Sequence, residues 1–378
     1  MKKTLTILAV LITPALARAQ TLERTDTLPP AIKTDLLGRQ KTLNERLVMA
    51  KDISVMATPT GETDFVKFVQ TLPGVAMGSD GSSSYYVRGG NMGGNLQTLD
   101  GVPIYGASHL IGLTSAYSAD IVSSAEFQVG GFSSEEGNLT SSHIKLHSKD
   151  GSFNTFSAKG DISNFMLGGS VSTPLVKDRL SLNAAIRVSP AGLEYKAIKG
   201  LMDPSVVNIK DADAAIYDLY AKLKYKVDDR RTVSFSIFHS LDKYNFMLGS
   251  GSEDKMSWNN LIAIAQYDAP WRKMGQLAVT ASFNHYGNSQ GMIKQMYLTS
   301  NNLLIRSLLD EGMIHACVRT SAGSNWHMQY GLKARMARFD PGSARVLETT
   351  GLFPKTSSPL ASRPRNNYRS EERRVGKE

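Results

Sequence analysis

The sequence predicts a mainly β protein: a small α+β domain followed by an incomplete antiparallel transmembrane β-barrel. Three observations predict it. From Phe165 onward, apolar and polar residues alternate in long runs, which places the apolar side chains of each run on one face. Short turns at Lys177-Asp178-Arg179 and Asp228-Asp229-Arg230 contrast with long polar stretches at 188–214, 242–257 and 287–311. Upstream, residues 59–151 combine one helical pattern with short β runs broken by Gly pairs.

Composition narrows the class. The 378 residues carry 43 Lys+Arg and 34 Asp+Glu, a formal charge of +9, and 41 % are hydrophobic. That apolar content is too high for a disordered chain. A single Cys excludes a disulfide framework and any CxxC site. Beyond the N-terminus no run of about 18 apolar residues occurs, which excludes a helical membrane protein but not a barrel, whose strands hide their hydrophobicity in alternation. The basic residues are scattered and not striped with aromatics, so no nucleic-acid partner is predicted.

Met1-Lys2-Lys3, the apolar stretch Leu5 to Leu16 and Ala17-Arg18-Ala19 form a basic start, a short apolar core and an A-x-A site. Residues 1–19 are therefore predicted to be a secretory signal peptide, cut after Ala19 with Ala17 as the second small residue. Residues 20–58 are polar, contain Pro29-Pro30, and are expected to form an extended or partly helical periplasmic leader. Thr63-Asp64 offers an N-cap to a helix carrying Phe65, Phe68, Val69 and Leu72, which Pro73-Gly74 ends. Tyr85 to Gly90 and Leu96 to Tyr105 read as short β runs around the loop Asn91 to Gly94, the second run turning at Asp100-Gly101. A helix is expected at Ser118 to Ser124, then strands at Ala125 to Val129 and Ser142 to Lys149.

Residues 152–366 carry the alternation. Phe165 to Thr173, Leu180 to Ile186 and Tyr217 to Val227 are three such runs. Val233 to Ile237, Leu277 to Phe283 and Trp326 to Met336 follow. Strands of about 10 tilted residues suit an outer membrane, with apolar side chains outward, polar ones in the lumen, and short turns opposite long loops. Soluble sandwich strands average only about 5–6 residues.

Pro73-Gly74-Val75, Tyr86-Val87-Arg88-Gly89-Gly90, Leu99-Asp100-Gly101-Val102-Pro103-Ile104-Tyr105 and Phe127-Gln128-Val129-Gly130-Gly131-Phe132 resemble, in order and spacing, the plug domain of TonB-dependent outer-membrane receptors. The resemblance covers roughly residues 60–340 and makes 59–151 the plug and 152–366 the first barrel strands. It implies a plug seated inside a barrel of about 22 strands. It further implies ligand capture at the outer loops and plug apex, and mechanical opening by the TonB–ExbB–ExbD complex at the expense of proton-motive force. The implied partners are that complex, outer-membrane lipid, and a siderophore, cobalamin, glycan or peptide too large for porins. The implied location is the cell outer membrane. At most nine strands are countable after residue 151, so an incomplete receptor is expected. Residues 367–378 lack alternation and resemble a non-native, adapter-derived tail. No clear TonB box is visible; Glu23 to Leu28 is the candidate.

The resemblance also makes Arg88 a candidate latch that pairs with barrel acids, against the plainer reading of a strand-end Arg. Asp100 and Gly101 are assigned to a turn, and Gly89, Gly90, Gly130 and Gly131 to tight turns and close backbone approach. No catalytic residues, cofactor or metal site are predicted. Ser142-His143-Ile144-Lys145 and Ser240-Leu241-Asp242-Lys243 match SxxK, but strand residues three apart face opposite sides. The seven His are dispersed, and Cys317 reads as a packing residue. The alternative function is a secreted β-rich adhesion or glycan-binding module, which would need no detergent.

Overall fold

A computed structural model describes residues 39–374 apart from 43, 54–55, 57, 59, 79–81, 138, 202–208, 249–250, 273–274, 297–298, 323–325 and 347–364. The expected signal peptide with Ala17 and Ala19, and the candidate box at Glu23 to Leu28, lie outside the described residues. Two layers form: a small mixed sheet with a helix, and a ten-stranded antiparallel wall whose inner face packs on it.

In the first layer, Asp64 caps helix α2 (Phe65–Gln70), its Oδ1 accepting from the Val66 and Lys67 amides at 2.7 and 3.2 Å. This is the capping that Thr63-Asp64 predicts. Phe65, Val66, Phe68, Val69 and Leu72 enter one core with Leu99, Ile104, Tyr117, Ile144 and Leu146. Each such side chain stabilises the domain by about 1.5–3 kcal/mol through area removed from water. The sheet runs β1-β2-β9-β10-β5-β6. Its members are β1 (Arg39–Thr42), β2 (Glu45–Met49), β5 (Asn95–Leu99), β6 (Val102–Pro103), β9 (Val122–Gln128) and β10 (Ser142–Ser148). Of these pairs β5 and β10 alone are parallel. Two small hairpins accompany it: β3 (Val75–Met77) with β4 (Tyr85–Val87), and β7 (Ser108–His109) with β8 (Thr114–Ser115).

Two sequence expectations change here. The end of the expected leader is not separate: β2 pairs with β9 and buries Val48, and helix α1 (Ala50–Ile53) buries Ile53. A free edge on β9 is satisfied by this added strand, which residue-by-residue polarity does not reveal. The helix expected at Ser118 to Ser124 shrinks to a 3-10 turn, Ala119–Ile121, because Val122 is already extended and begins β9.

The wall comprises β11 (Ser157–Ile162), β12 (Leu167–Val176), β13 (Leu180–Ser189), β14 (Ile209–Lys226) and β15 (Thr232–Leu248). It continues through β16 (Glu253–Trp271), β17 (Gly275–Met296), β18 (Thr299–Ala322), β19 (Trp326–Val346) and β20 (Arg365–Arg374). All are neighbours in chain order. Helix α3 (Ala191–Ile198) sits between β13 and β14.

Register exposes the design of the two faces. Leu182, Leu223, Phe235, Ala265, Ala281, Ile314 and Ala334 stand side by side across seven strands, one apolar outward row. The row beside it, Asn183, Lys222, Ser236, Ile264, Ser282, Met313 and Arg335, faces inward and is mostly polar. Apolar-out, polar-in is the inverse of a soluble sheet and matches a wall standing in lipid. No helix among the described residues is long and apolar enough to cross a membrane.

Strand length departs from expectation. β14 to β19 have 17 to 24 residues, and the stretches 242–257 and 287–311, read as long loops, are mostly strand. About 10 residues suffice to cross a membrane, and each of these strands is longer than that. In the upper part of β15 the inner face packs on the plug through Tyr244 and Phe246, so the apolar side changes while the backbone ladder stays intact. Among the described residues the wall has ten strands, one more than the sequence count. The backbone of Arg365–Arg374 pairs with β19, so the segment read as a tail without strand pattern contributes an edge strand.

Candidate functional site: the seam between plug and wall

A narrow apolar stripe on the inner face of the wall, Tyr220, Phe238 and Ile262, joins the plug core. Polar groups flank it on both sides.

The densest group centres on Arg187 of β13. Its Nη1 donates to Glu62 of the plug at 3.1 Å, its Nη2 to the Ser115 carbonyl at 2.9 Å, and its Nε to Asp218 of β14 at 2.8 Å. Arg187, Glu62 and Asp218 side chains are 4 %, 5 % and 1 % exposed, so this is a buried ion triad. Thr114 Oγ1 donates to Glu62 at 2.9 Å, while Ser115 donates to Asp64 through its amide at 2.8 Å and its hydroxyl at 2.7 Å. One cation from the wall thus organises two acids and a carbonyl around the β7–β8 hairpin.

His109 continues the network. Its Nε2 lies 3.3 Å from Asp218, and its Nδ1 is hydrogen-bonded to Asp242 of β15, the two acids clasping a fully buried ring. Asp242 also accepts from the Tyr244 hydroxyl at 2.7 Å and the Leu110 amide at 3.3 Å. Burial by itself would depress the imidazole pKa, but its hydrogen bonds to the Asp218 and Asp242 carboxylates outweigh it and hold the pKa above the ordinary value. Just beyond, Leu110, Ile111 and Gly112 take φ of 54°, 57° and 98°. A β-branched Ile in this region is strained by roughly 1–3 kcal/mol, and such strain persists only where surroundings enforce it. Ile111 is 59 % exposed at the apex, while Leu110 packs among Tyr244, Trp258 and Met256.

A second seam holds the plug segment Pro103 to Ser108. Asn284 Nδ2 donates to the Pro103 carbonyl at 2.7 Å, Asn260 Nδ2 to the Tyr105 carbonyl at 2.6 Å, and Trp258 Nε1 to the Ser108 carbonyl at 3.1 Å. The Tyr105 hydroxyl donates to Glu311 at 3.2 Å and accepts from Arg335 at 3.0 Å, while Arg335 also pairs with Glu311. Burial, reinforced by the Glu311 charge, pushes the Tyr105 phenol well above its usual pKa, so it remains a donor. Nearer the short turns, Lys222 and Lys224 reach Asp150 at 2.8 and 2.6 Å.

The residues singled out by sequence occupy other places. Arg88 Nη1 donates to Asn44 at 3.2 Å and to the Val129 carbonyl at 3.0 Å, both within the plug. Arg88 has φ 49° and ties the β4 turn to the end of β9, and among the described residues no wall acid hydrogen-bonds or ion-pairs with it. Two arginines that bridge plug and wall, Arg187 and Arg335, come from the wall. Asp100 and Gly101, with φ of 49° and 86°, turn β5 into β6, and Asp100 accepts from the Ser148 amide at 2.9 Å. Gly89, Gly130 and Gly131 have positive φ; Gly90 does not, but a Cβ there would collide with Ser141 and the Val87 carbonyl. Ser142 donates to Asn95 at 2.8 Å and Lys145 pairs with Glu136, so that SxxK pair is structural. Sequence reasoning missed Glu62, His109, Asp242, Tyr105, Glu311 and Arg335 as partners. Alternation did mark Arg187 and Asp218 as the polar members of their strands.

Residues 54–141 match the family model described as TonB-dependent Receptor Plug Domain. No curated protein matches the chain. Among solved structures, a variant of the ferric enterobactin receptor from Pseudomonas aeruginosa is similar with TM-score 0.58 at 13 % identity, covering 83 % of this chain and 51 % of that one. The outer membrane transporter YddB from Escherichia coli gives 0.58 at 10 % identity, covering 86 % and 53 %. The copper transporter OprC gives 0.57 at 12 % identity, covering 88 % and 60 %. The chain thus spans about half the length of the first of these. The plug and the strands that follow it have the fold of TonB-dependent receptors.

Proposed function

We propose that this chain supplies the plug and the leading wall strands of an outer-membrane receptor. In this reading the receptor takes up a ligand too large for porins, with energy from the periplasmic TonB–ExbB–ExbD complex. The observation that carries the reading is the seam itself. Arg187, His109, Asn260, Asn284 and Arg335 hold the plug by discrete polar contacts around one narrow apolar stripe. Such contacts can be exchanged for water one at a time, whereas a continuous apolar interface would have to separate as a block. A movable stopper needs the first kind. An outer membrane holds neither ATP nor a lasting ion gradient, so work must arrive mechanically, and an added strand on a sheet edge is a handle that needs no particular side chains.

The apex supports capture from outside. Exposed Ile111 rides on a strained turn that is held from below by Asp242 and His109. A ligand pressing there acts directly on the network that joins plug to wall. The outward apolar row supports residence in the outer membrane.

The test is uptake by the complete receptor from its uninterrupted reading frame, expressed in strains with and without TonB. Ferric siderophores are the first ligands to offer, since the similar structures include receptors for them. Uptake that needs TonB, with the protein in the outer-membrane fraction, is expected. Uptake unchanged without TonB, or a protein found free in the periplasm, refutes the proposal.

A further inference from the structure

Three metal-binding side chains meet where the plug loop 131–141 touches the wall. His315 and Cys317 lie two residues apart on β18 and so share a face. That face is the inner one: Cys317 is buried, whereas Ile314, on the opposite face, is 61 % exposed. Glu135 approaches from the plug, its Oε1 3.4 Å from His315 Nε2. The donor atoms of Glu135, His315 and Cys317 all lie within 4.8 Å of one another.

We propose that Glu135, His315 and Cys317 form a three-ligand site for a borderline divalent cation of the Zn2+ kind, which fastens the plug loop to the wall. Thiolate, imidazole and carboxylate are the three donor types zinc accepts, and three protein ligands leave a fourth position for water. Bond lengths of about 2.0–2.3 Å put tetrahedral donors about 3.5 Å apart, so the side chains need to close by roughly 1 Å. The outer partners are already in place. Gln329 Nε2 donates to Glu135 Oε2 at 2.6 Å and leaves Oε1 facing His315. The next residue, Glu136, is tied back to the plug sheet by His143 at 3.3 Å and by Lys145, which pins the loop. Gly331 stands opposite Cys317 on β19 and brings no side chain to compete for the space.

His315 and Glu135 are 20 % and 28 % exposed, which gives an ion a way in and water a place. Binding replaces the thiol proton: Cys–SH and M2+ give Cys–S–M+ and H+, with no change of oxidation state. Thiolate and carboxylate together neutralise the ion, so the filled site carries no net charge beside Arg319 and Lys333. This site concerns how the loop is fastened and is independent of what the receptor transports.

The test uses the whole chain refolded in detergent micelles with its thiol reduced, titrated with Co2+ as a spectroscopic probe and then with Zn2+. One equivalent of Co2+ giving a thiolate-to-cobalt charge-transfer band, displaced by Zn2+, is expected. Zn2+ is also expected to slow maleimide labelling of Cys317 by at least about tenfold. Cys317→Ser should abolish the band, and Glu135→Gln and His315→Ala should each weaken binding by about tenfold or more. Absence of saturable binding, or a band of unchanged affinity in both Glu135→Gln and His315→Ala, overturns the site and leaves only a thiol that picks up metal. If Cys317→Ser fails to fold, labelling protection of the unaltered chain and Glu135→Gln, which sits on a loop, decide the matter alone.

Discussion

Replacing Arg187 by Ala should loosen the plug from the wall more than any other single change on the seam. The substitution removes one cation and leaves Glu62 and Asp218, 5 % and 1 % exposed, as buried carboxylates without their shared partner, with the Ser115 carbonyl also unpaired. Breaking a buried ion pair by deleting one partner costs about 3–5 kcal/mol, and solvent screening offers little relief at this burial. At about 1.4 kcal/mol per decade, amides that exchange through plug release should exchange at least about 100-fold faster. The assay is hydrogen exchange of the chain in micelles, read at Thr114 to Tyr117 and compared with β16 and β17 as internal reference. A triple variant, Arg187→Leu with Glu62→Gln and Asp218→Asn, removes all three charges together and should recover much of the loss. Exchange within about threefold of the unaltered chain would refute the claim that this triad holds the plug.

Other consequences are open to measurement. The raised pKa of His109 means that its contribution is complete below about pH 6.5, the ordinary value, and is lost as pH rises through the higher folded-state value. Protection factors at Leu110 to Ser115, corrected for intrinsic rates, should therefore fall with rising pH, and His109→Gln should flatten the profile. Asp100→Ala puts a Cβ-only residue at φ 49° and strips the Ser148 amide of its acceptor, so the urea midpoint should drop by the equivalent of about 1–3 kcal/mol; no change would sink the turn assignment. Ile314→Arg, on the outward row, should cost up to about 2–4 kcal/mol in liposome insertion, and unimpaired insertion would refute a lipid-facing position.

Alternation exposed the wall where one face is apolar and outward and the other faces the plug, as along Tyr217 to Val227. It failed at 242–248 because the apolar face there is the inner one: Tyr244 and Phe246 pack toward Leu110 of the plug while Lys243 and Asn245 point the other way, the reverse of the pattern below. The capped helix at Phe65 and the Asp100-Gly101 turn were legible because their causes are local. The seam was not. Tyr105 and Glu311 are 206 positions apart, and His109 and Asp242 are 133 apart, so only the packing of the plug on the wall brings them together. The partners of Arg88, Asn44 and the Val129 carbonyl, were not legible either: its motif names a local backbone shape, and a local shape does not say which neighbour a long side chain will find. Cys317 and His315 were separable from chance only once Glu135 was seen to face them.

The height of the wall has a consequence for anything that enters it. β18, at 24 residues and about 3.3 Å per residue, is about 80 Å long; tilted at about 45° it rises some 55 Å, roughly twice an apolar band of about 25 Å. In the proposed outer-membrane setting one strand therefore meets two solvents, and the same residue type obeys opposite rules at its two ends. A charge is costly on the lower outer surface and harmless on the upper. Mutational tolerance plotted along β16, β17 and β18 should show a step at the headgroup level, and that step would mark the membrane boundary without any lipid being seen.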